Sequence, residues 1–451
     1  MLVMPYLILA QKKSDETIMA SIYDEALSNS PLYENLRVLC KDVGHRLSGS
    51  SGAAAAIEYT RQLMIEYNFD TVYLQSVMVP NWKRGPVEIL KITNSKKQGV
   101  IDFNALALGN SVGTGPQGIL AEIIELKGLA EIKEHRDEIA GKIVFFNGPM
   151  DPTLIETFSA YGAAVSQRSS GAAQTGPYGA KAIIVRSMTQ SLDDVPHAGS
   201  LRYEAGVKAL PAMAISTKDA NLLSQLLKDQ ADLRIYMENY AEILPETQSY
   251  NVIGQLNGTL LPNEYIAVGG HLDSWDVGEG AHDDGSGCLQ GIEVLRIFKS
   301  LNIKPKRTLR AVMWMNEENG GKGGKAYADM SKSRNEYHIA AIESDRGGFV
   351  PRGFTSTGSA KQKQQLLKWK TLFEPYGLHD FAQEGGGADI SPLSNQGTLL
   401  IGLLPDGQRY FRYHHTEEDV FEAVDRRELE LGAASMASLV YLLDQYGIAN
   451  Q

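Results

Sequence analysis

Residues 265–287 read YIAVGGHLDSWDVGEGAHDDGSG, and this stretch combines a buried strand, a polar loop and the start of a helix. Its first six residues are apolar, aromatic or glycine, as in a strand that is covered on both faces. His271 and Asp273 follow the strand at once, and Asp283 and Asp284 precede the predicted helix. A strand that leads through polar residues into a helix predicts an α/β sheet with a functional site at the carboxyl end of that strand.

Three further strands are also predicted to be followed by polar residues. The predicted strands are 265–270, 308–315, 339–343 and 398–403, and the helices are 286–300, 361–374 and 427–446. Apolar strands separated by helices predict a three-layer α/β sandwich around a mainly parallel, mixed sheet. Because the carboxyl ends of parallel strands share one edge of the sheet, the polar residues after these strands are expected to meet.

The chain is expected to contain one domain inserted into another. Residues 17–108 open as an α/β layer that has no chemistry of its own, and the sequence becomes Gly-rich and β-rich at about residue 109. We therefore interpret residues 109–245 as an inserted, smaller β-rich domain. Residues 246–451 then complete the α/β domain and carry the functional residues, and residues 1–16 form a leader.

Composition restricts the classes of function. The chain has 451 residues, of which 43% are apolar and 22% charged, as in globular proteins. Its net charge of -11 and isoelectric point near 5.4 argue against a nucleic-acid partner, because phosphate binding needs a concentrated basic surface. Cys40 and Cys288 lie in apolar helical patterns and are expected to be two separate buried thiols.

Residues 1–10, MLVMPYLILA, are apolar but too short to span a bilayer. They resemble the end of a secretory signal that lacks its basic start, which predicts a secreted or periplasmic protein without a stable membrane span. An ordinary buried first strand is the alternative.

The residues after the predicted strands are typical of a metal site. A metal-bound imidazole of His271 can donate its other N–H to Asp273, although a structural histidine with a capping aspartate would give the same spacing. Asp284 can cap the following helix, whereas Asp283 can bridge two cations at a separation of ~3.5 to 4 Å. His282 is a rival ligand, but metal-binding imidazoles usually lie on rigid elements.

The second acidic pair, Glu317 and Glu318, follows the strand 308–315. Adjacent carboxylates repel each other. A bound cation can remove this repulsion, because it keeps one carboxylate ionised while the other accepts a proton. That division predicts one ligand and one general base, and a solvated acidic loop is the alternative. Asp345 and His415 are the remaining candidate ligands.

His415 can be oriented by Asp419, and its neighbour His414 is the alternative ligand. Together, these residues offer two imidazoles and several carboxylates to one place, as a site for two zinc ions requires.

Four motifs, HLDSWDVGEGAHDDGSG, MNEENGGKGG, ESDRGG and YHHTEEDV, resemble the co-catalytic zinc exopeptidase family. This family contains bacterial secreted aminopeptidases, and the resemblance is strongest to its plasma glutamate carboxypeptidase, or carboxypeptidase Q, branch. It covers residues 17–105 and 246–446, and the segment between them resembles a protease-associated domain. The Trp275 loop also matches that branch, which favours small substrates.

The resemblance implies a role for each site residue. It implies Asp283 as the bridge between two zinc ions, Glu317 as the general base and Asp273 as the support of His271. It further implies four terminal zinc ligands, which are His271, Glu318, Asp345 and His415. Asp389 lies in a segment that resembles the active-site loop of the family, where it could contact substrate or support His415.

The expected activity is hydrolysis of dipeptides or short peptides that have a free amino terminus. A carboxypeptidase of the glutamate type is an alternative, for which Arg346, Arg409 or Arg412 could supply the basic group. A glutaminyl cyclase with a single zinc ion and a receptor-like binding module without catalysis are further alternatives. The inserted domain could cover the site, limit substrate size or pair two chains as a homodimer.

Overall fold

The computed structural model describes residues 14–448, which form fifteen strands and twelve α-helices. The strands are β1 (Thr71–Lys83), β2 (Glu88–Ser95), β3 (Gly99–Asp102), β4 (Ala105–Ala107), β5 (Ile119–Leu126), β6 (Ile143–Phe146), β7 (Ala182–Arg186), β8 (Ala212–Ile215), β9 (Arg234–Asn239), β10 (Glu242–Leu256), β11 (Leu261–His271), β12 (Arg307–Trp314), β13 (Tyr337–Glu343), β14 (Pro351–Thr357) and β15 (Leu399–Pro405). The α-helices are α1 (Asp15–Ser28), α2 (Leu32–Arg37), α3 (Ser51–Glu66), α4 (Arg136–Ile139), α5 (Thr157–Ala164), α6 (Ser166–Thr175), α7 (Thr217–Asp229), α8 (Ser286–Ser300), α9 (Lys322–Ser333), α10 (Ala360–Phe373), α11 (Tyr410–Tyr413) and α12 (Arg426–Tyr446). Shorter π and 3-10 helices are Val38–Val43, Leu129–Lys133, Gly176–Tyr178, Ala281–Gly285, Glu374–Tyr376, Ser391–Gln396 and Phe421–Ala423.

The first sheet has seven strands in the order β1-β10-β12-β11-β13-β15-β14. The four strands β12, β11, β13 and β15 are parallel to one another. The pairings of β1 with β10, β10 with β12, and β14 with β15 are antiparallel. The sheet therefore has a parallel centre and antiparallel flanks, and it is more evenly mixed than the mainly parallel sheet predicted from the sequence.

This difference arises because β10 and β14 are not recognisable as strands in the sequence. The first seven residues of β10 are exposed or half-buried and include Pro245, so they resemble a linker. β14 begins with Pro351 and is flanked by glycine. Both strands are held by pairing with neighbours that lie far away in the sequence, and local patterns do not reveal such pairing.

Helices cover both faces of this sheet. On one face, Leu289 of α8 and Leu439 of α12 belong to the larger core, together with Ile266 of β11. On the other face, Tyr327 of α9 packs in a smaller core with Ala267 of β11. Ile266 and Ala267 reach opposite cores because successive side chains of a strand point to opposite faces. The predicted α/β class is confirmed.

The second sheet is formed by the residues between β1 and β10, and we call residues 84–241 the second-sheet segment. Its eight strands have the order β3-β2-β9-β5-β6-β7-β8-β4. Strands β2, β3 and β4 all precede residue 109, so the sheet begins earlier than the inserted domain that we predicted from composition. The change in composition at residue 109 marks a Gly-rich loop between β4 and β5.

Three other predictions concern single segments. Cys40 and Cys288 are both buried and free, as predicted. The predicted leader lies outside the described residues, except that α1 begins at Asp15. No helix within residues 14–448 is long and apolar enough to cross a membrane.

Candidate metal centre

The carboxyl ends of the parallel strands bring the predicted site residues together. His271 is the last residue of β11, and Glu318 and Asp345 lie just beyond the ends of β12 and β13. His415 follows α11, which comes after β15. The side chains that we predicted as ligands therefore meet at one edge of the first sheet, where an open α/β sheet places its active site.

His271, Asp283 and Asp345 form the first group of facing donor atoms. Nε2 of His271 lies 3.1 Å from Oδ1 of Asp283 and 3.4 Å from Oδ1 of Asp345. One donor atom from each of the three residues lies within 4.8 Å of the others. Burial opposes a charge on His271, but the carboxylates of Asp345 and Asp283 raise the pKa of the imidazole well above its usual value.

Asp283 is also part of a second group, with His414 and His415. Its Oδ2 lies 3.3 Å from Nε2 of His415 and 3.9 Å from Nε2 of His414. Nε2 of His415 also lies 3.1 Å from Oε2 of Glu318. Asp283 thus faces the two groups with its two carboxylate oxygens, as a bridging ligand would.

The donor set fits zinc. Oδ2 of Asp283 and Oε1 of Glu318 are buried and have no hydrogen-bond partner within residues 14–448. An unpaired buried carboxylate oxygen is costly, and coordination of a cation removes that cost. A cavity of about 10 Å³ is bounded by Asp283, Glu318 and His415, and it has room for about one small atom. Nitrogen and carboxylate oxygen donors suit zinc.

Asp273 is fully buried, and Oδ1 of its carboxylate lies 3.9 Å from Nδ1 of His271, which is beyond hydrogen-bond distance, so it supports the imidazole less directly than we predicted. The backbone carbonyl of Asp273, rather than its carboxylate, accepts a hydrogen bond from Nδ1–H of His271 at 2.9 Å. The carboxylate accepts the backbone N–H groups of Asn316 at 2.6 Å, Glu317 at 3.1 Å and Glu318 at 3.3 Å. Three donors stabilise a buried carboxylate better than one imidazole does, and they fix the loop of the second acidic pair.

Asp419 likewise forms no hydrogen bond with the imidazole of His415. Its carboxylate accepts the backbone N–H groups of His282 at 2.7 Å and Asp283 at 3.1 Å, so it holds the loop of the bridging residue. The partner of His415 comes from the second-sheet segment, where the carbonyl oxygen of Ala198 lies 3.3 Å from Nδ1. The N–H of Ala198 donates in return to the carbonyl of His415 at 2.9 Å.

The rival interpretations of neighbouring residues are also decided by their contacts. Both ring nitrogens of His282 are engaged, because Nδ1 accepts the N–H of Gly348 and Nε2–H donates to the carbonyl of Ala423, each at 3.2 Å. Asp284 accepts the N–H of Gly287 at 3.0 Å and thus caps the first turn of α8. Neither side chain is free to bind a cation.

Comparison with known proteins identifies the family of this chain. The model of peptidase family M28 matches residues 251–440. Carboxypeptidase Q of Bos taurus is 33% identical over 426 residues, which cover 94% of this chain and 87% of that protein. The chain belongs to peptidase family M28.

Solved structures support the same conclusion. A peptidase M28 precursor from Shewanella amazonensis SB2B has a TM-score of 0.90 and 31% identity, and the match covers 97% of this chain and 98% of that one. The aminopeptidase from Aneurinibacillus sp. strain AM-1 has the same fold, with a TM-score of 0.67, 21% identity and 95% of each chain covered. The predictions of an exopeptidase family and of a metallopeptidase are confirmed.

In this M28 chain, Glu317 is half-buried beside the carboxylates of the candidate ligands and differs from them in its contacts. Its carboxylate forms no hydrogen bond or ion pair with any residue in the range 14–448. Burial raises the pKa of Glu317 to about 8, and the nearby charges of Asp345 and Asp273 act in the same direction. A carboxylate with no fixed partner beside a metal site can accept a proton and return it.

Glu343 and residues of the second-sheet segment also reach the M28 site, and no role was predicted for them from the sequence. Glu343 is buried, and its Oε2 accepts the N–H of Ile390 at 2.9 Å. Oε1 of Glu343 and both carboxylate oxygens of Asp389 are buried without a hydrogen-bond partner in the described chain. In the second-sheet segment, Tyr161 accepts a 2.6 Å hydrogen bond from Arg168 and packs edge-on against His414. The motif ESD was a signal for Glu343, whereas the sequence around Tyr161 contains no such signal.

Proposed function

We propose that this M28 exopeptidase uses two zinc ions to hydrolyse dipeptides or short peptides next to a free amino terminus. The observation that carries this proposal is the position of Asp283, whose two carboxylate oxygens face two separate groups of imidazole and carboxylate donors. A bridging carboxylate of this kind is expected where two cations act together.

The contacts suggest how the residues divide between the two ions. His271 and Asp345 would hold one zinc ion, His415 and Glu318 would hold the other, and Asp283 would bind both. His414 is the alternative to one of these ligands, but its ring is enclosed by Tyr161, Tyr410 and Phe411 and stacks on His415. We therefore assign His414 to packing.

The reaction follows from the position of Glu317. When bound, two zinc ions lower the pKa of a water molecule and polarise the carbonyl of the scissile bond. Glu317 accepts the proton of the attacking water and returns it to the departing amine. Asp273 holds Glu317 and Glu318 in place through their backbone N–H groups, so the base and a ligand share one support.

The direction of cleavage concerns which end of the substrate is recognised. Relatives of this chain are named carboxypeptidase Q and aminopeptidase, and the two activities give the same products from a dipeptide. Arg409 and Arg412, two candidates for binding a substrate carboxylate, form ion pairs with Glu428 and Glu418. We favour recognition of the free amino terminus by the metal site. Comparing N-acetylated and C-amidated dipeptides tests this choice, because N-acetylation should abolish cleavage whereas C-amidation should at most weaken substrate binding.

A chelation experiment tests the proposed chemistry. Purified protein should contain two zinc ions per chain and hydrolyse dipeptides, lose activity when treated with 1,10-phenanthroline, and regain it when zinc is restored. Glu317→Gln should keep both ions and lose about 10²- to 10⁴-fold in kcat. Glu417→Gln is a matched control, because Glu417 is an exposed acid in the YHHTEEDV motif and should retain full activity.

The outcomes separate this proposal from its rivals. Retention of activity by Glu317→Gln with both ions bound would remove the general-base assignment. A single zinc ion together with cyclisation of amino-terminal glutamine would favour a glutaminyl cyclase. Two bound zinc ions without hydrolysis of any peptide would favour a binding module.

A further inference from the structure

A cavity beside Asp345 extends the site away from the metal-binding residues. It has a volume of about 310 Å³ and is lined by Phe158, Glu343, Asp345, Arg346, Gly387 and Leu403, among others. A second cavity of about 230 Å³ shares Phe158 and Arg346 with it and continues toward Arg352 and Gln383. The first cavity alone is within the size range of small-molecule sites. A substrate bound at Asp345 would therefore place part of itself against Arg346.

Arg346 differs from Arg352 and Arg412 because its charge has no carboxylate partner in the described chain. Its guanidinium lies 4.6 Å from the centroid of the Phe158 ring and forms no hydrogen bond or ion pair with the part of the chain that the structure describes. By contrast, Arg352 pairs with Asp406 at 3.3 Å and Arg412 pairs with Glu418 at 3.2 Å.

The acidic residues near the cavity, Asp345, Glu156 and Glu343, favour the charge of Arg346 but form no ion pair with it in the described chain. Asp345 faces His271 at 3.4 Å in the first donor group, and Glu343 accepts the N–H of Ile390 at 2.9 Å. Glu156 lines the adjoining cavity and lies beyond the 4 Å reach of an ion pair with Arg346. The N–H groups of Arg346 are thus left for a ligand, and a planar guanidinium matches a carboxylate with two parallel hydrogen bonds.

We propose that Arg346 is a specificity residue that binds a carboxylate of the peptide substrate in this cavity. The inference rests on the proposed peptidase function, and it adds that the preferred substrates carry an acidic group close to the scissile bond. That group is either the α-carboxylate of a dipeptide or the side-chain carboxylate of an amino-terminal Asp or Glu.

Three substrates separate the two sources of the carboxylate. Ala-Ala has only the α-carboxylate, Glu-Ala amide has only the side-chain carboxylate, and Ala-Ala amide has neither. In zinc-loaded Arg346→Gln, kcat/KM should fall about 10- to 100-fold for the substrate whose carboxylate Arg346 binds, as expected for a lost hydrogen bond to a charged group. The loss should lie mainly in KM. The variant should cleave Ala-Ala amide as efficiently as the wild type does. Arg346→Lys should recover part of the activity that Arg346→Gln loses.

Controls distinguish failure of this inference from failure of the proposed function. Arg136→Gln removes an exposed arginine that pairs with Asp137 and lines neither cavity, so it should leave all three substrates unaffected. An equal loss on Ala-Ala amide, or no loss on any substrate, would overturn the role of Arg346 while leaving the peptidase intact. If the wild type with its zinc bound cleaved none of the three, the proposed function itself would fail.

Discussion

Asp273→Asn tests whether one buried carboxylate positions both the general base and a zinc ligand. Oδ1 of Asp273 accepts the N–H groups of Asn316 and Glu317, and Oδ2 accepts the N–H of Glu318 at 3.3 Å. An asparagine can keep one oxygen at the first pair of donors. Its NH2 group would then face the N–H of Glu318, so a hydrogen bond to a charged acceptor is replaced by two donors in contact.

The size of the expected effect follows from replacing the carboxylate of Asp273 by an amide. Loss of one charge-assisted hydrogen bond and an unsatisfied buried donor cost about 1 to 3 kcal/mol. Since Glu318 is the displaced residue, we expect this cost mainly in zinc binding. A loss of 1.4 kcal/mol is about tenfold, so affinity at one of the two proposed zinc sites should fall about 10- to 100-fold.

Zinc titration against a chromogenic chelator measures this effect. One of two binding steps should weaken in Asp273→Asn, and kcat should fall because Glu317 moves with the same loop. Asp219→Asn is the control, since Asp219 also accepts a backbone N–H, that of Asn104 in the second-sheet segment. Two unchanged binding steps in Asp273→Asn, with an altered step in Glu318→Gln, would refute the argument.

The centre of the fold and the residues of the candidate site could be predicted to lie together because both depend on local patterns in the sequence. Buried parallel strands are continuous apolar runs, and their ligands follow within a few residues. Thus β11 and β13, with His271 and Asp345 at their ends, were identified from neighbouring residues alone. The same holds for α8, whose predicted bounds, 286–300, are those observed.

The remaining features depend on contacts between residues that are distant in the sequence. Ala198 lies more than two hundred residues from His415 in the sequence and contacts it through its backbone carbonyl. A pattern of side chains cannot predict such a contact. Asp273 and Asp419 were recognised as supporting residues, but their partners were not predicted. A carboxylate two or four residues from a histidine can turn to it or to backbone N–H groups, and only the folded chain decides between these partners.

Two further predictions concern stability. Glu336→Gln should reduce the free energy of unfolding by about 3 to 5 kcal/mol in urea, because it removes the negative charge that pairs with the buried Arg310 at 2.7 Å. Asp329→Asn, which breaks an exposed helix pair, should cost less than about 1 kcal/mol, and equal losses would contradict this reasoning. Burial lowers the pKa of His338 to about 3, so below pH ~6.5 the unfolded chain binds a proton that the folded chain excludes. Stability should therefore fall as the pH decreases from 6.5, at up to about 1.4 kcal/mol per pH unit, until the pH nears 3. His338→Gln lacks this penalty, so its unfolding free energy should change about 2 kcal/mol less than that of the wild type between pH ~7 and ~5. An identical pH dependence of urea unfolding in the two proteins would show that His338 is not held neutral by its burial.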